Sequence, residues 1–249
     1  MSPAPILLLD ETDSTNAEAR RRADAGETGP LWIVARRQCA GRGRRGRNWE
    51  SETGNLFSTL LQLTRKSPAE AAQVTFVAAL AVADLLEAFA VPGAVAIKWP
   101  NDVMIAGEKA SGILVESGAH GSGALWLAVG IGVNLAHAPD GTERPATALA
   151  HHLRPDVAYA PSPDVAASVL AEAFAVWMDR WETLGFPPIL DAWTARTRGL
   201  DQPCVARLGH ETVSGVAEGV APDGALRLRL PNGSLRLISA GDVFFNEAA

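Results

Sequence analysis

The chain has 249 residues, 47% hydrophobic and 20% charged, a mix that excludes a disordered, collagen-like or coiled-coil protein and suits one large domain with at most a small appendage. Its formal net charge of −6 speaks against a general nucleic-acid or membrane-surface binder. The most apolar stretch, Val74 to Ile97, is interrupted by Asp84, Glu87, Pro92 and Gly93, so no membrane span is expected.

In chain order, Ile6 to Leu9 predicts a strand. Thr15 and Glu18 form a capping-box pattern that opens a helix to about Ala25. Trp32 to Ala35 and Asn55 to Leu63 predict two further strands. Ser67, Pro68 and Glu70 occupy N-cap, N1 and N3 of a helix, and Val74, Val77, Leu80, Ala81, Leu85 and Phe89 keep helical spacing along it. Val95 to Trp99, Val103 to Ile105, Ile113 to Glu116 and Leu125 to Val133 predict strands of a mixed, largely antiparallel sheet, with Ala106, Gly107 and Glu108 as a tight connection. Ser162, Pro163 and Asp164 start a helix whose apolar stripe is Val169, Leu170, Phe174, Trp177, Trp181 and Leu184 and which ends near Gly185. A short helix follows at about Ile189 to Arg196. Beyond Gly199, five short alternating runs (Cys204 to Leu208, Thr212 to Glu218, Ala225 to Leu230, Leu235 to Ile238, Val243 to Phe245) predict a small barrel. The boundary is expected near residues 199 to 203.

Between Arg36 and Arg47 six arginines occur with no acid. A solvated basic loop is one reading of them. Gly41, Gly43 and Gly46 favour another, because glycine lets the backbone close on a ligand and guanidinium forks match phosphate or carboxylate oxygens. Gly41 to Gly46 formally matches G-x-G-x-x-G, but residues 48–54 are turn-rich and lead into a strand where the dinucleotide fingerprint requires a helix. No G-x-x-x-x-G-K-[ST] occurs.

Lys98, Trp99, Pro100, Asn101 and Asp102 sit at a strand end. They make either a capped turn with a surface ion pair or a place where cation, amide and carboxylate meet a polyphosphate and its magnesium. Lys109 heads the next strand, and a hairpin would return it to the Lys98 side. Asp13, Ser14, Thr15 and Asn16 read as a helix cap whose spare hydroxyls can bond a small polar ligand. Gln38 lies at the mouth of the arginine loop. Trp49 reads as core or as loop anchor, and Trp177 and Trp181 as core. His120, His137, His151, His152 and His210 lack ligand-like companions, and Cys39 and Cys204 stand outside any C-x-x-C, so no protein-held metal is expected. No basic residue precedes the first apolar run, which argues against a secretory leader and makes the cytoplasm the expected location.

Together the segments 13–16, 38–47 with Trp49, 54–56, 98–102, 109–116 and 130–134 resemble the biotin-protein ligases, also called biotin-[acetyl-CoA-carboxylase] ligases. The likeness runs to about residue 135, and the arginine–glycine loop followed by Lys-Trp-Pro-Asn-Asp carries most of it. Cys39 departs from the pattern, since a polar residue is common there. Lipoate- and octanoate-protein ligases share the catalytic fold without this loop and are the nearest alternative. Only twelve residues precede Asp13, too few for the winged helix-turn-helix of the relatives that double as repressors, so the resemblance implies a monofunctional ligase.

The resemblance implies an α+β fold of the class II aminoacyl-tRNA synthetase/biotin-ligase type: a mixed, mostly antiparallel sheet with helices in a catalytic domain over residues 1–200, and an SH3-like barrel over 201–249. It implies biotin and MgATP as substrates, biotinyl-5′-AMP as intermediate, no tightly bound prosthetic group, and a lysine of a biotin carboxyl carrier protein as acceptor. Nucleic acid and membrane are excluded as partners, and a homodimer is admitted. By family matching, Ser14, Thr15, Asn16, Gln38, Gly41, Arg42, Gly43, Arg44, Lys109 and Gly112 would bind biotin. Arg44, Trp49, Lys98, Asn101, Asp102 and Asn134 would bind the nucleotide, with Lys98, Lys109 and Arg44 as catalytic groups. The segment from Gly41 to Trp49 would be a lid over the labile adenylate, with Trp49 as its latch. A nucleic-acid arm built on the arginines, or an inactive ligand sensor of the same fold, are the readings from other classes.

Overall fold

The computed structural model describes residues 3–245. Apolar side chains that alternate along each strand must leave on opposite faces, and this period divides the interior into two layers. Seven strands form the main sheet: β1 (Ile6–Thr12), β2 (Leu31–Gln38), β3 (Leu56–Thr64), β4 (Val95–Lys98), β5 (Asp102–Ile105), β6 (Glu108–Ala119) and β7 (Leu125–Val133). Their spatial order is β1-β2-β3-β7-β6-β5-β4. Only β1 and β2 pair in parallel, joined by helix α1 (Thr15–Asp24); every other ladder is antiparallel, as the sequence led us to expect.

On β7, Leu127, Val129, Ile131 and Val133 enter the large core beneath helices α3 (Val74–Glu87), α4 (Pro163–Leu184) and α5 (Pro187–Ala195). Trp126 and Ala128 face the other way, onto Ala19 and Ala23 of α1. Gly130 and Gly132 continue that second face beyond the helix, and there the absence of side chains leaves room for the site. Helix α3 is the central core helix: eleven of its fourteen residues are buried. With the preceding turn it is long and apolar enough to match a membrane span by length and composition, but its apolar surface is already covered within the fold.

Three local expectations need correction. No capping box forms at Thr15: the N-cap is Ser14, without a side-chain cap bond, and Glu18 is held by Arg21 and Arg22 instead. Thr15 instead turns its hydroxyl toward Gln38. The Ser67 capping box does form, but it opens only α2 (Pro68–Ala72), and Gln73 separates that turn from α3. Leu184, the last member of the α4 stripe, is 64% exposed.

Five strands follow: β8 (Pro203–Arg207), β9 (Thr212–Val220), β10 (Leu226–Arg229), β11 (Leu235–Ile238) and β12 (Asp242–Phe245). They form an antiparallel sheet in the order β11-β10-β9-β8-β12. This smaller sheet is not a detached bead. Cys204, Ala206, Ala217, Leu226, Leu228 and Val243 share one contiguous core with Leu80, Trp99 and Trp193, and the Trp99 indole donates to the Gly224 carbonyl at 3.1 Å.

Candidate active site

The site is a cavity of about 260 Å3 on the α1 face of the main sheet, closed on one side by the arginine loop and on another by β12. Its floor follows from glycine. Gly112 on β6 and Gly132 on β7 are register partners, and a Cβ on either would meet the Trp49 indole, at 2.9 Å and 2.5 Å respectively. The two glycines therefore make a flat seat for that ring. Gly130 serves the neighbouring position in the same way, since a Cβ there would collide with the Asn16 amide.

At one end, the N-terminus of α1 supplies a buried polar cluster. Thr15 donates its amide N–H (2.8 Å) and its hydroxyl (3.1 Å) to Gln38 Oε1, and Gln38 Nε2 donates to Ser51 Oγ at 2.9 Å. Asn16 Nδ2 donates to Glu116 Oε2 at 2.8 Å, while Thr59 Oγ1 lies 2.7 Å from Asn16 Oδ1. Phe57 and Leu114, the register partners of Gly132 and Gly130, add an apolar wall. A polar rim over apolar walls suits a ligand with one hydrogen-bonding ring and an alkyl body. Asp13 stays outside this cluster: it accepts the Ser14 N–H and pairs with Arg21, whose hydrogen bonds hold its carboxyl well below the usual carboxylate range.

The arginine loop is pinned at three points. Arg42 pairs with Glu116 at 2.9 Å, Arg44 Nη1 donates to Asn101 Oδ1 at 2.7 Å, and Arg45 and Arg47 converge on Asp242 of β12 at 3.1 and 2.8 Å. Burial lowers the pKa of Arg44, against the pull of Asp242 and Asp102; a guanidinium titrates so high that it remains a cation at neutral pH. Burial pushes the Asp242 carboxyl up, but Arg47, Arg45 and Arg144 together outweigh this and leave it lowered.

At the other end, β4 and β5 form a hairpin in which Lys98 and Asp102 are register partners. The β5–β6 hairpin turns through Ala106 and Gly107, both at positive φ, the two-residue geometry that matches strand twist. It returns Lys109 Nζ to 2.6 Å from Asp102 Oδ1. Asn134, just past β7, donates to the Thr147 carbonyl at 3.1 Å.

Thirteen of the fifteen residues singled out from sequence line this one cavity: Ser14, Thr15, Asn16, Gln38, Arg42, Gly43, Arg44, Trp49, Asn101, Asp102, Lys109, Gly112 and Asn134. Gly41 and Lys98 lie outside its lining. Gly41 is packed where a Cβ would strike the Ser51 hydroxyl and the Trp49 carbonyl, and Lys98 Nζ lies 5.7 Å from the Phe245 ring centroid. Sequence reasoning missed Thr59, Ser51, Asp242 and Arg144. None stands in a motif, and only the folded chain brings them to the motif residues.

The profile of the biotin/lipoate A/B protein ligase family matches residues 9–134, and that of the biotin protein ligase C-terminal domain matches residues 199–246. The chain belongs to the biotin/lipoate A/B protein ligase family. Among its relatives, it is 46% identical over 240 residues to a biotin–[acetyl-CoA-carboxylase] ligase of Paracoccus denitrificans, covering 96% of this chain and 99% of that one. It is 32% identical to a bifunctional ligase/repressor of Bacillus spizizenii, across 94% of this chain and 72% of the relative. In fold it is similar to the Aquifex aeolicus biotin protein ligase solved with biotin and ATP, with a TM-score of 0.79 at 24% identity over 97% of this chain and 99% of that one.

Proposed function

We propose that this ligase-family member activates biotin with MgATP to biotinyl-5′-AMP and transfers the biotinyl group to a lysine of a biotin carboxyl carrier protein. The observation that carries the reading is the meeting of a polar, apolar-walled end and a cationic end within one cavity. In the first half-reaction a biotin carboxylate oxygen attacks the α-phosphorus, and the bond to pyrophosphate breaks. Two anions must be brought together, so fixed cations supply most of the catalysis. Arg44 and Lys109, held by Asn101 and Asp102, stand ready for this; Lys98 is the third catalytic group we propose. Thr15, Gln38 and Asn16 would hold the ureido ring, and Asn134 and Trp49 the nucleoside. In the second half-reaction the carrier's lysine nitrogen attacks the acyl carbon, AMP leaves, and the amine gives up a proton.

Among the described residues no group of three or more histidine, cysteine, aspartate or glutamate side chains could hold a metal. Asp102 is engaged by Lys109 and Arg144. Magnesium would enter as part of MgATP, carried on the phosphates. The remaining parts of the proposal are a cytoplasmic location and a division into a catalytic unit over residues 1–200 and a smaller unit over 201–249.

Exchange of labelled pyrophosphate into ATP tests the function: it should appear with biotin and not with lipoate or octanoate. Exchange driven by lipoate would move the assignment to the neighbouring activity, and biotin-independent exchange would remove it.

A further inference from the structure

Arg144 lies in the segment between β7 and α4 and has no part in the roles above. Its side chain lines the cavity and is 18% exposed. Nη1 donates to Asp102 Oδ2 at 3.4 Å, so Asp102 is shared between Arg144 and Lys109. The guanidinium carbon sits 4.0 Å from the ring centroid of Phe244 on β12, and Arg207 lies 4.1 Å from the same ring. Arg144 Nε and Nη2 are both buried, and neither has a hydrogen-bond partner among the described residues.

Those two nitrogens form one edge of a planar guanidinium. Their N–H bonds run side by side, the geometry that grips two oxygens of one phosphate or carboxylate. A buried donor without an acceptor is destabilising, more so on a charged group, and an edge left in that state calls for an acceptor the ligand-free chain does not hold. Position decides between the two anions. Arg144 shares Asp102 with Lys109, at the end of the cavity where Arg44 and Asn101 meet, whereas Thr15 and Gln38 mark the other end.

We infer that Arg144 is a phosphate-binding residue of the adenylation step: its Nε and Nη2 edge takes two oxygens of the nucleotide's phosphate chain. Phe244 is a positioning residue that holds the guanidinium plane in place. Asp102 is the counter-ion that keeps Arg144 and Lys109 together before the phosphates arrive. This inference rests on the ligase reading given above.

The test is kinetic and calorimetric. In biotin-dependent pyrophosphate exchange, Arg144→Gln should raise KM for ATP about tenfold to a hundredfold, the worth of charge-assisted hydrogen bonds, with KM for biotin changed less than about twofold. Arg144→Lys should not restore it, since an ammonium has no fork. Phe244→Leu should shift KM for ATP in the same direction by less, leaving KM for biotin in place. Titration with α,β-methylene-ATP should show the same loss for Arg144→Gln as the kinetics. An unchanged KM for ATP, a rise confined to biotin, or full rescue by lysine would overturn the assignment. A wild-type chain without biotin-dependent exchange would remove the ligase reading alone. The analogue titration still decides the role of Arg144 in that case, with equal affinity in wild type and Arg144→Gln counting against it.

Discussion

Gly132→Ala isolates the seat beneath Trp49. An added Cβ would lie 2.5 Å from Trp49 Cε2, 2.6 Å from Nε1 and 2.8 Å from Cζ2. Carbon contacts settle at about 3.5 Å or more, so the indole must withdraw by about 1 Å. The strand cannot give way in its place, because Gly132 is laddered on both sides, to Gly112 of β6 and to Phe57 of β3. The loop therefore takes the displacement. Inserting a methyl into packed space costs about 1–3 kcal/mol, which corresponds to about a fivefold to 150-fold shift in the closed-loop equilibrium. We expect Gly132→Ala to weaken ATP binding by a factor in that range and to speed tryptic cleavage after Arg42, Arg44, Arg45 and Arg47, with little change in Tm. Biotin plus ATP should protect the same bonds in the wild type. The cycle with Trp49→Ala is decisive: if the methyl acts through the indole, the double variant is no worse than Trp49→Ala alone. Additive losses, or wild-type cleavage and affinity in Gly132→Ala, would refute the reasoning.

Other positions give independent tests. Asn55 is 4% exposed, its Oδ1 accepts the N–H groups of Leu135, Ala136 and His137 at 2.9–3.1 Å, and its Nδ2 donates to the His137 carbonyl. Asn55→Ala should lower stability by about 3 kcal/mol or more, since buried donors left unmade cost about 1–3 kcal/mol each; a denaturant midpoint within error of wild type would sink this. Arg44→Ala and Lys109→Ala should slow biotin-dependent exchange by about a hundredfold or more with circular dichroism unchanged, whereas loss of fold would make these side chains structural. Asp13 has a lowered pKa in the native state, so its contribution to stability is present above about pH 4, the unfolded value, and is lost as pH falls through the native value. Asp13→Asn should flatten the acid limb of the stability profile below about pH 4, and an unchanged limb would contradict the Arg21 pairing.

Periodicity was enough to read the strands and long helices, because each buries one face against a core large enough to reward it. Helix starts were legible only where the cap competes with nothing else. Ser67 and Glu70 are exposed and close their box, while Thr15 is drawn into the Gln38 network and Glu18 into arginine pairs. Motif residues converged because short hairpins fix their register: Lys109 reaches Asp102 through the two-residue turn at Ala106 and Gly107. Lys98 shares its face with its register partner Asp102, but on the edge strand β4 it lies beside the Phe245 ring, outside the cavity lining. Asp242 was illegible for another reason. It lies 195 residues from its partner Arg47, and no local pattern encodes a contact at that separation.

The interior that runs unbroken from Leu80 to Val243 makes the small sheet, residues 203–245, part of the enzyme's architecture rather than cargo at its tail. Calorimetry should accordingly record a single melting event, with the active-site tryptophan and the terminal strands losing order together. An insertion that pries the small sheet away from Trp99 and Trp193 would be felt at Arg45 and Arg47, which pair with Asp242, before either half came apart.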